Sequence, residues 1–260
     1  MSNLLTASIG KKLLMSVSGL FLILFLFVHL TLNSFLLLDS CLGFERGQLF
    51  NAGAHFMATN PFIKVIEPML ALGFMVHIIY SLILTFQNMK ACGRQRYASG
   101  NKTTLQFLVR LQLHPSGPQR YDSGNKTKGV EWSSQNMLVL GIAIFAFLIV
   151  HMFDFYMKMR GYTAPKLPEV EFPFFGSMAK GDDAYSLVNA TFKILPIVIL
   201  YVIGSVALAF HLAHGFWSSF QTFGWNNTKW LPRLKSISTI FAIILGGGFT
   251  IIAVAQYLFF

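Results

Sequence analysis

Seven histidines are the side chains of this 260-residue sequence best suited to chemistry, and four of them, His29, His77, His151 and His211, fall inside long apolar stretches. An ionisable group in hydrocarbon is costly, so each one needs a reason. Taken singly, each reads as a neutral core histidine hydrogen-bonded to a neighbouring helix. Four of them, one on each of the first four apolar stretches, fit another chemistry. A bis-histidine haem takes two axial nitrogens from opposite faces of a flat macrocycle, and therefore from two different helices.

The elements that must position them follow from composition. Hydrophobic residues make up 54% and charged residues 12%, with 27 phenylalanines and a mean hydropathy of +0.58. Too little charge is present to cover a water-exposed surface, which excludes a soluble domain. Five stretches are long enough to cross about 30 Å of hydrocarbon, roughly residues 13–38, 62–86, 137–157, 195–220 and 237–259. The expected fold is an all-α integral membrane protein, one domain over residues 1–260, with five transmembrane helices in a bundle enclosing two stacked haems.

Thirteen of the 20 Lys and Arg residues lie in the N-terminus, the 88–133 loop and the 223–236 loop, while most acids lie in the other two loops. The positive-inside rule then makes the N-terminus cytoplasmic and the 158–192 segment external. The net charge of +10 becomes a cytoplasmic face, either a plain topology determinant or also a docking surface for acidic lipid or a soluble partner. Nucleic acid is not implied, since no zinc spacing, RNA-binding signature or basic amphipathic run occurs. Lys11 and Lys12 precede a first span too long for a signal peptide and without a cleavage site, so the span is expected to be retained. Leu38-Asp39-Ser40-Cys41 only faintly fits a lipoprotein cleavage box. Cys41 and Cys92 fall on opposite sides of the membrane and suggest no disulfide. The 88–133 loop holds a near-duplicate, residues 95–103 against 119–127, which reads as a local duplication with no function assigned.

Depth decides which histidines can pair. At 1.5 Å per residue, His29 lies about 24 Å above Leu13 and His151 about 26 Å above Ser134. His77 and His211 lie only about 15 and 16 Å from Gln87 and Thr222. Two levels emerge, His29 with His151 outside and His77 with His211 inside, about 10 Å apart in depth. Gly19 and Gly141 each stand ten residues before the outer histidine of their helix, where a missing side chain leaves room for a macrocycle. The shared Gly-x9-His spacing hints at two similar helix pairs.

Three runs carry a resemblance: Phe27-Val28-His29-Leu30-Thr31-Leu32-Asn33; Phe50-Asn51-Ala52-Gly53-Ala54-His55-Phe56-Met57 leading to Pro61-Phe62; and Phe210-His211-Leu212-Ala213-His214-Gly215-Phe216-Trp217-Ser218 followed by Phe223-Gly224-Trp225. In their order and spacing they resemble the dihaem cytochrome b membrane anchor of succinate dehydrogenase and fumarate reductase, of the single-polypeptide, five-helix, menaquinone type. The resemblance covers most of the chain but not the long 90–130 and 158–192 segments. It implies an anchor in a bacterial cytoplasmic membrane that binds a flavoprotein subunit and an iron–sulfur subunit, the dicarboxylate chemistry being on the partner. It further implies two haems b with His29, His77, His151 and His211 as axial ligands, and electrons passing between the iron–sulfur clusters, the haems and a quinone. A higher oligomer of the complex stays open.

Other polar residues have two readings each. His214, three residues after His211, competes as a ligand; the resemblance favours His211 and leaves His214 a hydrogen-bond or propionate role. Ser16 and Ser18 can bind inner propionates or cap the helix. His55 can line a quinone pocket or hold loop structure. Asn33 and Asp154 can contact propionates or quinone, or simply be solvated at the interface. Near His211 the fourth span has no acid, so no internal proton route is expected. Three alternatives compete with the anchor: a cytochrome b of a hydrogenase or formate dehydrogenase, a haem-free transporter with a histidine proton relay, and a purely structural anchor. Glu67 is almost the only intramembrane carboxylate a relay would have.

Overall fold

The computed structural model describes residues 7–92, 132–163 and 166–260; the near-duplicate and most of the 88–133 loop lie outside the described residues. Among the described residues five helices are long and apolar enough to cross a membrane: α1 (Ser8–Leu38), α3 (Pro61–Cys92), α4 (Met137–Met159), α6 (Leu195–Thr222) and α7 (Trp230–Phe259). Their outward faces are apolar, as lipid demands, with Leu24, Ile203 and Ile251 more than half exposed. The helices outrun the expected spans at several ends. The largest difference is α7, which starts at Trp230 because the Asn227 side chain accepts from the Lys229 and Trp230 amides at 3.1 and 2.9 Å. Asn227 thereby caps a basic first turn that hydropathy reads as loop.

Helices α1 and α6 organise the bundle. Helix α1 packs on α3, α6 and α7, and α6 packs on α1, α4 and α7. The pairs α1 with α4 and α3 with α6 are not in extensive backbone contact. A π-helical turn, Met152–Tyr156, interrupts α4 directly after His151, and a second one, Ile243–Gly247, interrupts α7.

One end of the bundle carries a built layer: α2 (Gln48–Thr59), a hairpin of β1 (Glu169–Phe174) and β2 (Ser177–Asp182), and α5 (Ala184–Phe192). The hairpin is an addition to the all-helical expectation. Its strands pair antiparallel from Glu169 opposite Asp182 to Phe174 opposite Ser177. They turn through Phe175 and Gly176, both at positive φ, +47° and +84°, the backbone of a tight two-residue hairpin loop. Phe172 is fully buried, and β1 and β2 both pack against α2.

Buried polar side chains tie this layer down. Asp39, 3% exposed, accepts from the Gly47 and Leu49 amides at 2.7 and 3.0 Å and so satisfies the start of α2. Asn51 donates to Asp183 at 3.0 Å and accepts from the Tyr185 amide at 2.8 Å, joining α2 to the start of α5. Asp183 also accepts from the Ser186 amide at 3.1 Å, as the N-cap of α5. A Cβ at Gly53 would come within 2.4 Å of Leu32, so glycine sets the close approach of α2 to α1. The core below joins Leu36, Phe50, Phe155, Phe192, Val198, Tyr201 and Ile252.

Candidate functional site

The structure brings the four span histidines together in two facing pairs. The rings of His29 and His151 have centroids 5.7 Å apart at 89°, and those of His77 and His211 are 6.3 Å apart at 74°. An imidazole nitrogen bonds a transition metal at about 2.0 Å, with its ring centre about 1.1 Å beyond, so two imidazoles trans on one metal have centroids about 6.2 Å apart. The inner pair stands at that span, and the outer pair is about 0.5 Å tighter. Each pair joins two helices that are not otherwise in extensive backbone contact, α1 with α4 and α3 with α6.

The donor set also suits haem. Neutral imidazoles in opposed pairs are the axial ligands of a bis-histidine iron. Nδ1 of His151, Nδ1 of His211 and the indole N–H of Trp217 are buried without a hydrogen-bond partner. Such groups are rare in native interiors. The paired imidazoles thus supply the donor set that a bis-histidine haem would need at each level.

The two levels have different surroundings. His29 stacks on Phe25 at 5.3 Å and meets Phe249 at 5.6 Å. His151 is ringed by Phe147, Phe155 and Tyr201 at 5.8, 5.4 and 5.9 Å. His77 instead has polar neighbours, with Nδ1 3.3 Å from the Met15 carbonyl and 3.5 Å from the Ser18 hydroxyl. A Cβ at Gly19 would meet the His77 ring at 3.2 Å, so glycine sets the close approach of the imidazole to α1. Nothing lies within 4 Å of a Cβ placed at Gly141.

The serines are not caps. Helix α1 begins at Ser8, so Ser16 and Ser18 lie two turns inside it. Ser16 donates to the Thr222 hydroxyl at 3.0 Å, tying the start of α1 to the end of α6. Ser18 donates to the carbonyls of Leu14 and Met15. His214 lies edge-on to Trp217 with ring centres 4.9 Å apart.

The three residues offered for quinone are scattered. Asn33 donates to the His29 carbonyl at 2.8 Å, one turn back on its own helix. His55 packs on Phe172 and Phe174 at 5.5 and 5.2 Å, between α2 and the hairpin. Asp154 accepts from the Tyr201 hydroxyl at 3.1 Å and has Lys158 at 3.9 Å. With its side chain 16% exposed, Asp154 is more enclosed than a solvated interface residue.

Tyr201 escaped the sequence reading, although a tyrosine within an apolar span signals a hydroxyl in need of a partner. A second group was equally unforeseen: Glu67 on α3 accepts from the Tyr156 hydroxyl at 2.6 Å and pairs with Arg160 of α4. The spacing of Tyr156 and Arg160, one helical turn apart, was the available signal.

No protein-family profile, curated protein or solved structure matches the chain. The geometry of the paired histidines is accordingly the main support for any functional assignment.

Proposed function

We propose that this chain is the membrane anchor and electron-transfer subunit of a succinate:quinone oxidoreductase, a succinate dehydrogenase or fumarate reductase. In this reading it sits in a bacterial cytoplasmic membrane and exchanges electrons between an iron–sulfur subunit and menaquinone. The carrying observation is the pair of facing histidine couples, His29 with His151 and His77 with His211, at separations suited to one metal each. The three motif runs of the sequence support the particular complex, and the five apolar helices support the anchor.

Bound between each pair, haem b supplies reversible one-electron transfer. The chain's own residues do the rest. The four histidines offer ring nitrogens from two helices apiece. The Met15 carbonyl accepts from Nδ1 of His77, which would leave Nε2 as the nitrogen to bind a metal. Phenylalanines around His29 and His151 keep water from the outer level. Two levels about 10 Å apart in depth make a path across the bilayer rather than a single centre. The end bearing Lys11, Lys12, Lys229, Arg233 and Lys235 is the cytoplasmic face on which the iron–sulfur and flavoprotein subunits dock, and the flavoprotein carries the dicarboxylate chemistry.

A pyridine haemochrome assay on the purified chain is expected to give two b-type haems per polypeptide, and any other number sinks the reading. Co-purification with a flavinylated subunit separates it from a hydrogenase or formate dehydrogenase cytochrome.

A further inference from the structure

Between α1, α2 and the tip of the hairpin lies a cleft of about 760 Å³ that is lined by none of the paired histidines. This volume falls within the usual range for a bound small molecule. Its floor is the exposed flank of α1, where Phe27, Val28 and Thr31 lie within a turn of His29, so the cleft begins at the depth of the outer histidine pair. Ala52 and Phe56 of α2 form one side, and Phe174 and Phe175 of the hairpin close the other.

The lining chemistry narrows the ligand. Thr31 bears the one side-chain hydroxyl of the lining, and it is spent on the Phe27 carbonyl at 2.8 Å. The lining thus offers a polar head no side-chain donor, and an apolar occupant entering from the bilayer suits it best. Six phenylalanines, 27, 35, 44, 56, 174 and 175, surround the space. Aromatic rings gain most from partners that carry flat π-systems of their own. An isoprenoid chain offers a planar double bond in every unit, and a saturated acyl chain offers none.

The tip is shaped at a cost. Phe175 holds a left-handed backbone, φ +47°, which is unusual for a bulky residue and marks places where strain serves a purpose. It is 86% exposed, yet its ring leans on Phe174 at 4.7 Å and reaches toward Phe56 at 6.5 Å, across the mouth of the cleft. His55, packed behind Phe174, props the tip from the far side.

We propose that this cleft receives the isoprenoid chain of a polyprenyl quinone sideways from the membrane, with the Phe174–Phe175 tip closing over it. The proposal rests on the quinone reaction assigned above and adds the element that selects for the chain. The hairpin belongs to the long 158–192 segment, so this recognition is a property of this chain rather than one the resemblance supplies.

The test uses the purified complex in phosphatidylcholine nanodiscs, photolysed with a menaquinone analogue bearing a diazirine on its isoprenoid chain and mapped by peptide mass spectrometry. Label is expected on the peptides containing Val28, Ala52 and Phe175, and excess unlabelled menaquinone is expected to displace it. Val28→Trp, which fills the floor, should lower labelling about tenfold, as expected for withholding about 55 Å² of apolar contact. Ala52→Trp fills the same space from the opposite wall and should do likewise. A phosphatidylcholine carrying the diazirine on its acyl chain is the comparison probe. If it labels the cleft and menaquinone does not displace it, or if neither tryptophan variant lowers quinone labelling, the proposal is overturned. Haem is counted on the same samples. Two haems with an unlabelled cleft would remove the chain site and leave the proposed function standing, whereas displaceable label without haem would do the reverse.

Discussion

Around His29 and His151 the neighbours are rings, Phe25, Phe147, Phe155, Tyr201 and Phe249, whereas beside His77 stand a serine hydroxyl, a backbone carbonyl and a glycine. Both arrangements fix an imidazole. The first does so by packing, where orientation depends on shape and tolerates loss of a polar atom. The second does so by a hydrogen bond and a close approach, where a single added carbon is felt at once. If each pair holds a haem as proposed, the two haems are expected to differ in potential, because hydrogen bonds to the ligands and local polarity tune a metal as much as its ligands do.

The largest expected effect breaks the comparison outright. In the haem-loaded protein, His29→Ala or His151→Ala should abolish one spectral component, and His77→Ala or His211→Ala the other, as read by low-temperature difference spectra. If His29→Ala and His77→Ala removed the same component while His151→Ala spared it, the two levels would be wrongly paired. Next comes Gly19→Leu. Even a Cβ there meets the His77 ring at 3.2 Å, so the His77–His211 component should be lost while the other stays. Gly141→Ala, with nothing in reach of its new methyl, should leave both components in place.

Smaller changes sharpen the contrast. Tyr201→Phe keeps the ring against His151 and removes the bond to Asp154. It should cost about 1 kcal/mol of stability in thermal unfolding and, in a redox titration, move only the His29–His151 midpoint. Ser18→Ala deletes a contact of 3.5 Å to His77, which is at the weak limit of a hydrogen bond. It should move only the His77–His211 midpoint, and by less than Tyr201→Phe moves its counterpart.

The spans and the pairing of the histidines were legible because both depend on one-dimensional quantities, the length of an apolar run and the rise per residue of a helix. What surrounds the histidines was not, since it depends on which helix faces turn toward one another. Ser18 and Tyr201 become neighbours of His77 and His151 only once α1 meets α3 and α4 meets α6. The hairpin was hidden for a different reason. Glu169–Phe174 and Ser177–Asp182 contain Pro173 and Gly181, residues that read as loop, and they become strands by packing Phe172 against α2. In the Phe50–Met57 run, Asn51 and Gly53 serve to join α2 to α5 and α1, a role that only the meeting of these elements reveals.

The wide turn at Met152–Tyr156 gives α4 a phase shift. A turn closed by i→i+5 bonds holds one residue more than an α-helical turn, so the two halves of the helix are geared about 100° apart from where a regular helix would set them. The half bearing His151 can face α1 while the half bearing Tyr156 and Arg160 faces Glu67 on α3. Deleting one residue within this turn would therefore act as a rotation rather than a shortening: α4 would run on as a smoother helix, with either its histidine or its Glu67 partners pointing the wrong way.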